Sequence, residues 1–139
     1  MQTKKFIFLE HTADVKFQAF GKDLEEVFEN SALAMFNTMY TGKIKTAKNF
    51  KIKVKGKDYE SLLYNFLEEL LFLMDSKNFF LSKIKKIRIN REKLVLEAEI
   101  SGDDAKNYKV HIDVKAITYN EMFVKKQKDK LVAQVVLDV

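Results

Sequence analysis

Apolar and polar positions along this 139-residue chain follow two periods, near 2 in several stretches and near 3.6 in two others. Val15, Phe17 and Ala19 alternate with Lys16 and Gln18, which predicts a half-buried strand continuing from Phe6–Leu9 across a polar turn at Glu10–Asp14. Asp23 opens a helix, and Glu26 three residues on completes a capping-box pattern. Leu24, Val27, Phe28, Ser31, Ala32, Met35 and Met39 share one face of it, and Gly42 is placed to close it at C′. Phe50, Ile52 and Val54 then alternate with Lys51, Lys53 and Lys55, giving a strand with one wet, basic face. Asp58 caps a second helix with Leu62, Leu63, Phe66, Leu67, Leu70, Leu71 and Met74 on its apolar face. Phe72 and Leu73 widen that face, so this helix is expected to be the central buried one.

Period-two patterning returns after residue 80. Ile84–Ile89, Leu94–Ile100, Tyr108–Val114, Tyr119–Val124 and Leu131–Leu137 read as strands. Short polar turns at Asn90–Lys93, Ser101–Asp104 and Lys125–Lys130 predict an antiparallel meander. There is no proline, and the four glycines fall between periodic segments, where a positive φ is useful. Without a linker, repeat or low-complexity tract, the expectation is one domain over residues 1–139. Its class is α+β, a sandwich of two helices packed on largely antiparallel sheet.

Composition narrows the function classes. Hydrophobic residues make up 47% of the chain, too many for disorder. Absent cysteine removes disulfides and thiolate metal sites and fits an intracellular location. The longest apolar run, Leu70–Met74, is too short to span a bilayer, and only Phe6–Leu9 separates Lys4-Lys5 from Glu10, so no signal peptide is expected. A cytoplasmic protein follows. Net charge of +5 and a pI near 9.2 invite a polyanionic partner. Only Arg88 and Arg91 are arginines, however, and arginine is the residue that forks onto phosphate and guanine.

Two polar clusters stand out. Glu10-His11-Thr12-Ala13-Asp14 interrupts the apolar pattern with carboxylates, an imidazole and a hydroxyl, and reads either as a polar turn or as a binding loop. The last strand ends on Leu137-Asp138-Val139, adding one carboxylate and the terminal one. Brought together, such groups repel unless a hard cation or a lysine, such as Lys16 or Lys115, lies among them. His111 falls on the polar phase with Lys109 and Asp113 and reads as surface. No nucleophile–base arrangement or phosphate-cradling glycine loop is present.

These clusters, with Gly21 leading into Leu24–Phe28, the Phe66–Leu71 helix and Lys115–Tyr119, resemble the archease family over almost the whole chain. Two departures are Val15-Lys16, where the family commonly has a glycine, and Asn120, where a histidine often follows Thr-Tyr. The resemblance implies a Ca²⁺ site built from Asp14, Asp138 and the Val139 carboxylate. It also implies a partner-facing patch, taken as His11, Thr12, Lys115, Thr118 and Tyr119. The function it implies is non-catalytic: an accessory to the RNA-splicing ligase that joins tRNA exon halves. Such an accessory promotes guanylylation of the ligase with GTP and multiple turnover, with tRNA as an indirect partner through the ligase. Two rivals remain on the residues themselves. One is an RNA-binding domain using Lys51, Lys53, Lys55 and Lys57 with Phe50 and Tyr59. The other is a small metal-dependent hydrolase centred on His11, Asp14 and Asp138.

Overall fold

Both helices lie between two antiparallel sheets in a computed structural model that describes residues 4–10 and 13–139. Strands β1 (Phe6–Leu9), β2 (Val15–Gly21), β7 (Lys130–Asp138) and β6 (Ala116–Gln127) form the first sheet, in the order β1-β2-β7-β6. Strands β3 (Lys48–Lys55), β5 (Val95–Asp104) and β4 (Phe79–Asn90) form the second, with β5 central. Helix α1 (Leu24–Met39) touches β1, β2 and β7 on one side and β4 on the other. Helix α2 (Tyr59–Lys77) packs on β6 and on all three strands of the second sheet.

This layering settles which helix is central. Helix α1 buries residues around most of its circumference, Phe28, Ser31, Met35 and Met39 being fully enclosed. Its polar interior groups are satisfied, since Ser31 Oγ donates to Val27 O at 2.8 Å and Asn30 Nδ2 to Phe20 O at 2.7 Å. Helix α2 was expected in that place, but Phe72 is 57% exposed. An aromatic can extend a hydrophobic run in sequence and still project from the one uncovered side of a helix.

Capping follows the sequence signals closely. Asp23 accepts from Glu26 N–H at 2.9 Å, although Glu26 returns its carboxylate to Lys22 N–H rather than to the cap itself. Asp58 and Ser61 form a reciprocal box at the start of α2, and Asn78 ends that helix in the left-handed region at φ 53°.

Further expectations need correction. The strands after residue 80 are not one meander: β4 and β5 join β3, while β6 and β7 join β1 and β2. Tyr108–Val114 is not a strand, because it is the crossover between the sheets. A short 3₁₀ turn, Ala105–Asn107, precedes it, and it is fastened to the end of α1 where His111 N–H donates to Met39 O at 2.9 Å. Ser101–Asp104 is not a turn but the end of β5, where Gly102 pairs with both Lys48 and Leu81. A Cβ there would collide with Phe80 O, so close packing rather than backbone freedom demands the glycine. None of the four glycines has a positive φ, and α1 ends on an extended Tyr40 rather than through Gly42.

Candidate functional site at the end of the last strand

Strand β7 is flanked on both sides where the chain ends. Val15 pairs with Leu137 across the β2–β7 ladder, and Ala116 pairs with Asp138 across β6–β7. Lys115 N–H adds a 2.8 Å bond to Asp138 O. Asp14 directly precedes Val15 and Asp138 directly follows Leu137, so the last pair of the β2–β7 ladder brings these two carboxylate residues to the same end of β7. Because side chains alternate faces, Asp138 belongs to the face away from the helices, with Lys16, Val136 and Thr118 next in line. Asp14 is half-buried and Asp138 exposed, while Val139 is half-buried and rests its side chain on the core.

The rest of the patch is spread over β6 and its surroundings. Lys115 is exposed beside Asp138. Thr118 Oγ1 donates to Val136 O at 3.0 Å and accepts from Asn120 N–H at 3.3 Å. Its hydroxyl therefore serves the strand locally. Tyr119 is 54% exposed and lies parallel to Tyr64 of α2, with ring centroids 4.3 Å apart. His11 and Thr12 lie outside the described residues. His111 is exposed and stacks on Tyr40.

Two features escape a reading of the sequence. Pairing between β6 and β7 lapses between Thr118 and Phe123, and Glu121 takes a left-handed φ of 55°. Glu121 there ion-pairs with Lys16 at 3.1 Å, and its carbonyl accepts from Gln134 Nε2 at 2.8 Å. Gln18 Nε2 in turn donates to Gln134 Oε1 at 2.9 Å. On the same face, which carries no helix, Val132 and Val136 are nevertheless buried. The second feature is a cleft of about 800 Å³ beside Asp14, with Phe8, Glu10, Lys16, Thr38 and Ile112 in its walls. Ile112 comes from the crossover misread as a strand, so nothing in the alternation pointed to it.

The chemistry available here is that of oxygen ligands. Among the described residues no group of three or more His, Cys, Asp or Glu side chains converges in a metal-ligand arrangement. Asp14 and Asp138 with a terminal carboxylate supply three hard oxygen groups. A Ca²⁺ shell of six to eight oxygens would draw the rest from backbone carbonyls and water, which the donor set permits.

The lysine stripe has a different setting. Lys51 and Lys53 lie opposite Glu99 and Glu97 on β5, and Lys86 and Arg88 of β4 flank the same two glutamates from the other side. Four cations thus surround two carboxylates, with Arg88 and Glu97 3.7 Å apart. Phe50 and Tyr59 pack on the core rather than interleaving with the lysines as stacking platforms.

Comparison with known proteins points one way. A family model described as the archease protein family matches residues 6–139. Protein archease of Methanosarcina acetivorans is 40% identical over 143 residues, spanning 99% of this chain and 98% of its own. That of Methanothermobacter thermautotrophicus is 39% identical over 139 residues, spanning 98% and 99%. The solution structure of Methanobacterium thermoautotrophicum protein 1598 matches with a TM-score of 0.83 at 36% identity, over 99% of this chain and 100% of that one. The crystal structure of an archease from Thermotoga maritima, described as a possible chaperone, has a TM-score of 0.63 at 21% identity. It covers 100% of this chain and 98% of its own, and so shares the fold.

Proposed function

The chain belongs to the archease family, and on that footing we propose that it is a non-catalytic accessory protein that activates the 3′-phosphate RNA-splicing ligase of tRNA splicing. It promotes guanylylation of the ligase with GTP and permits multiple turnover. The observation that carries this reading is the strand register, which draws Asp14 to the Asp138 end of β7. Asp14, Asp138 and the Val139 carboxylate form the acidic tip. His11, Thr12, Lys115, Thr118 and Tyr119 contact the ligase around it.

A Ca²⁺ ion, or another hard divalent cation, would supply the positive charge that lets these carboxylates share one pocket. The chain's own residues dock and orient. The carboxylates approach the ligase's nucleotide cleft and align its metal ions and the GTP phosphates, while bond making stays with the ligase.

The test is a ligation assay at limiting ligase. Asp14→Asn and Asp138→Asn, which keep side-chain volume, are expected to lower stimulation about tenfold or more while far-UV circular dichroism stays unchanged. A parallel thermal scan should show Ca²⁺ raising the midpoint of the parent protein but not of Asp14→Asn. Unchanged ligase turnover in both variants would remove the acidic tip from activation. Hydrolysis of GTP or RNA by the purified chain alone would favour the hydrolase instead.

A further inference from the structure

The stacked pair Tyr64 and Tyr119 lies where α2 meets the open edge of the first sheet. There Glu60 Oε2 accepts Val124 N–H at 3.2 Å and ties helix to strand. Tyr64 backs the stack, and Tyr119 is left 54% exposed. Carboxylates surround the pair. Burial first, and then the nearby Glu68 carboxylate, push the Tyr64 phenol up. The Tyr119 phenol is also pushed up, first by burial, then by Tyr64 and the carboxylates of Asp58 and Glu68. Two turns along α2 from Tyr64, Phe72 is 57% exposed. The helix carries Glu60, Glu68, Glu69 and Asp75 against Lys77 alone, in a chain whose net charge is +5. This is an acidic, aromatic surface on a basic protein.

We propose that this surface docks an arginine-bearing segment of a partner protein, with the guanidinium stacked on Tyr119 and forked towards Glu68, and an apolar side chain of the same segment on Phe72. An aromatic face flanked by carboxylates suits a planar cation, which can stack and donate hydrogen bonds at once. Lysine, a compact and strongly hydrated charge, gains less from the ring. A nucleic-acid base could stack on the same ring, but its phosphates would meet Asp58, Glu60 and Glu68. Charge complementarity therefore selects a cationic peptide over RNA. The proposal holds whether or not the ligase is the protein that presents the arginine.

The experiment is an NMR titration of the intact protein, with tyrosine rings labelled, against an acetylated and amidated heptapeptide. The peptide carries arginine at its second position and leucine at its sixth, spanning about 13 Å when extended. Lysine and citrulline versions and a single-stranded oligouridylate are the comparison probes. Expected are saturable shifts of the Tyr119 and Tyr64 rings with the arginine peptide, and affinity several-fold weaker with lysine and about tenfold weaker with citrulline. Tyr119→Ala should weaken binding about tenfold, while Tyr119→Phe, which keeps the ring, stays within about twofold. Glu68→Gln should weaken it without altering the fold, so a loss there cannot be blamed on unfolding. Equal binding of the citrulline peptide, no shift at millimolar arginine peptide, or preferential shifts with oligouridylate would each overturn the proposal.

Discussion

Tyr108 shows how much one side chain can organise. Its hydroxyl donates to Asp103 Oδ2 at 2.7 Å and accepts from Lys45 N–H at 2.9 Å, while Asn107 Nδ2 also donates to Asp103 at 3.3 Å. The end of β5, the segment after α1 and the start of the crossover therefore meet at one phenol. That donation from Tyr108, followed by Asp104 N–H, holds the Asp103 carboxyl below its ordinary 3.8, although burial opposes it. Stability from a depressed carboxyl is fully present above the ordinary value and is lost as pH falls through the lower folded one. Tyr108→Phe should accordingly be less stable than the parent at pH 7. The gap should narrow as Asp103 protonates below about pH 4. Urea midpoints at pH 7 and pH 3 check this, and a gap that stays constant would assign the loss to packing alone.

The helices follow from local rules, and their surroundings do not. Asp58 accepts Ser61 N–H at 2.7 Å, and Ser61 Oγ accepts both Asp58 N–H at 3.1 Å and Lys57 N–H at 2.7 Å. Asp58→Ala removes an acceptor for an otherwise orphaned helix donor and should cost about 1 kcal/mol, read as a lower urea midpoint at unchanged slope. An unchanged midpoint would mean that Ser61 and water serve the terminus alone. Phe72 gives the opposite lesson. It belongs to an apolar run by sequence, yet only the neighbouring layers decide that it faces solvent. The Tyr108–Val114 alternation misleads for a similar reason. A crossover that leaves one sheet for another can alternate in polarity and still find no strand partner.

Across the whole molecule, charge is sorted by face. The outer surface of the second sheet is a lattice in which Glu97 and Glu99 on β5 stand between cations on β3 and β4. Exposed pairs of this kind contribute little each, and edge lysines also discourage strand-to-strand association. Lys51→Gln with Lys53→Gln should therefore cost less than about 1 kcal/mol. On the proposed accessory role, the double change should also leave stimulation of the ligase intact. If it instead abolished a salt-sensitive affinity of the parent for single-stranded RNA, the RNA-binding reading would return.

Periodicity, caps and the closing apolar run specify two helices and most of the strands, because those features are local and each repeats within a turn or a pleat. The resemblance of Glu10–Asp14, Lys115–Tyr119 and the Asp138 end to a known family is likewise legible residue by residue. What no local pattern contains is partnership. The chain alone does not state that β5 pairs with β3 as well as β4, while β7 pairs with β2 as well as β6. Nor does it state that α1 is enclosed on both sides, or that Tyr119 finds Tyr64 across more than fifty residues. Those outcomes depend on burying every apolar face at once, and only the assembled layers satisfy that condition.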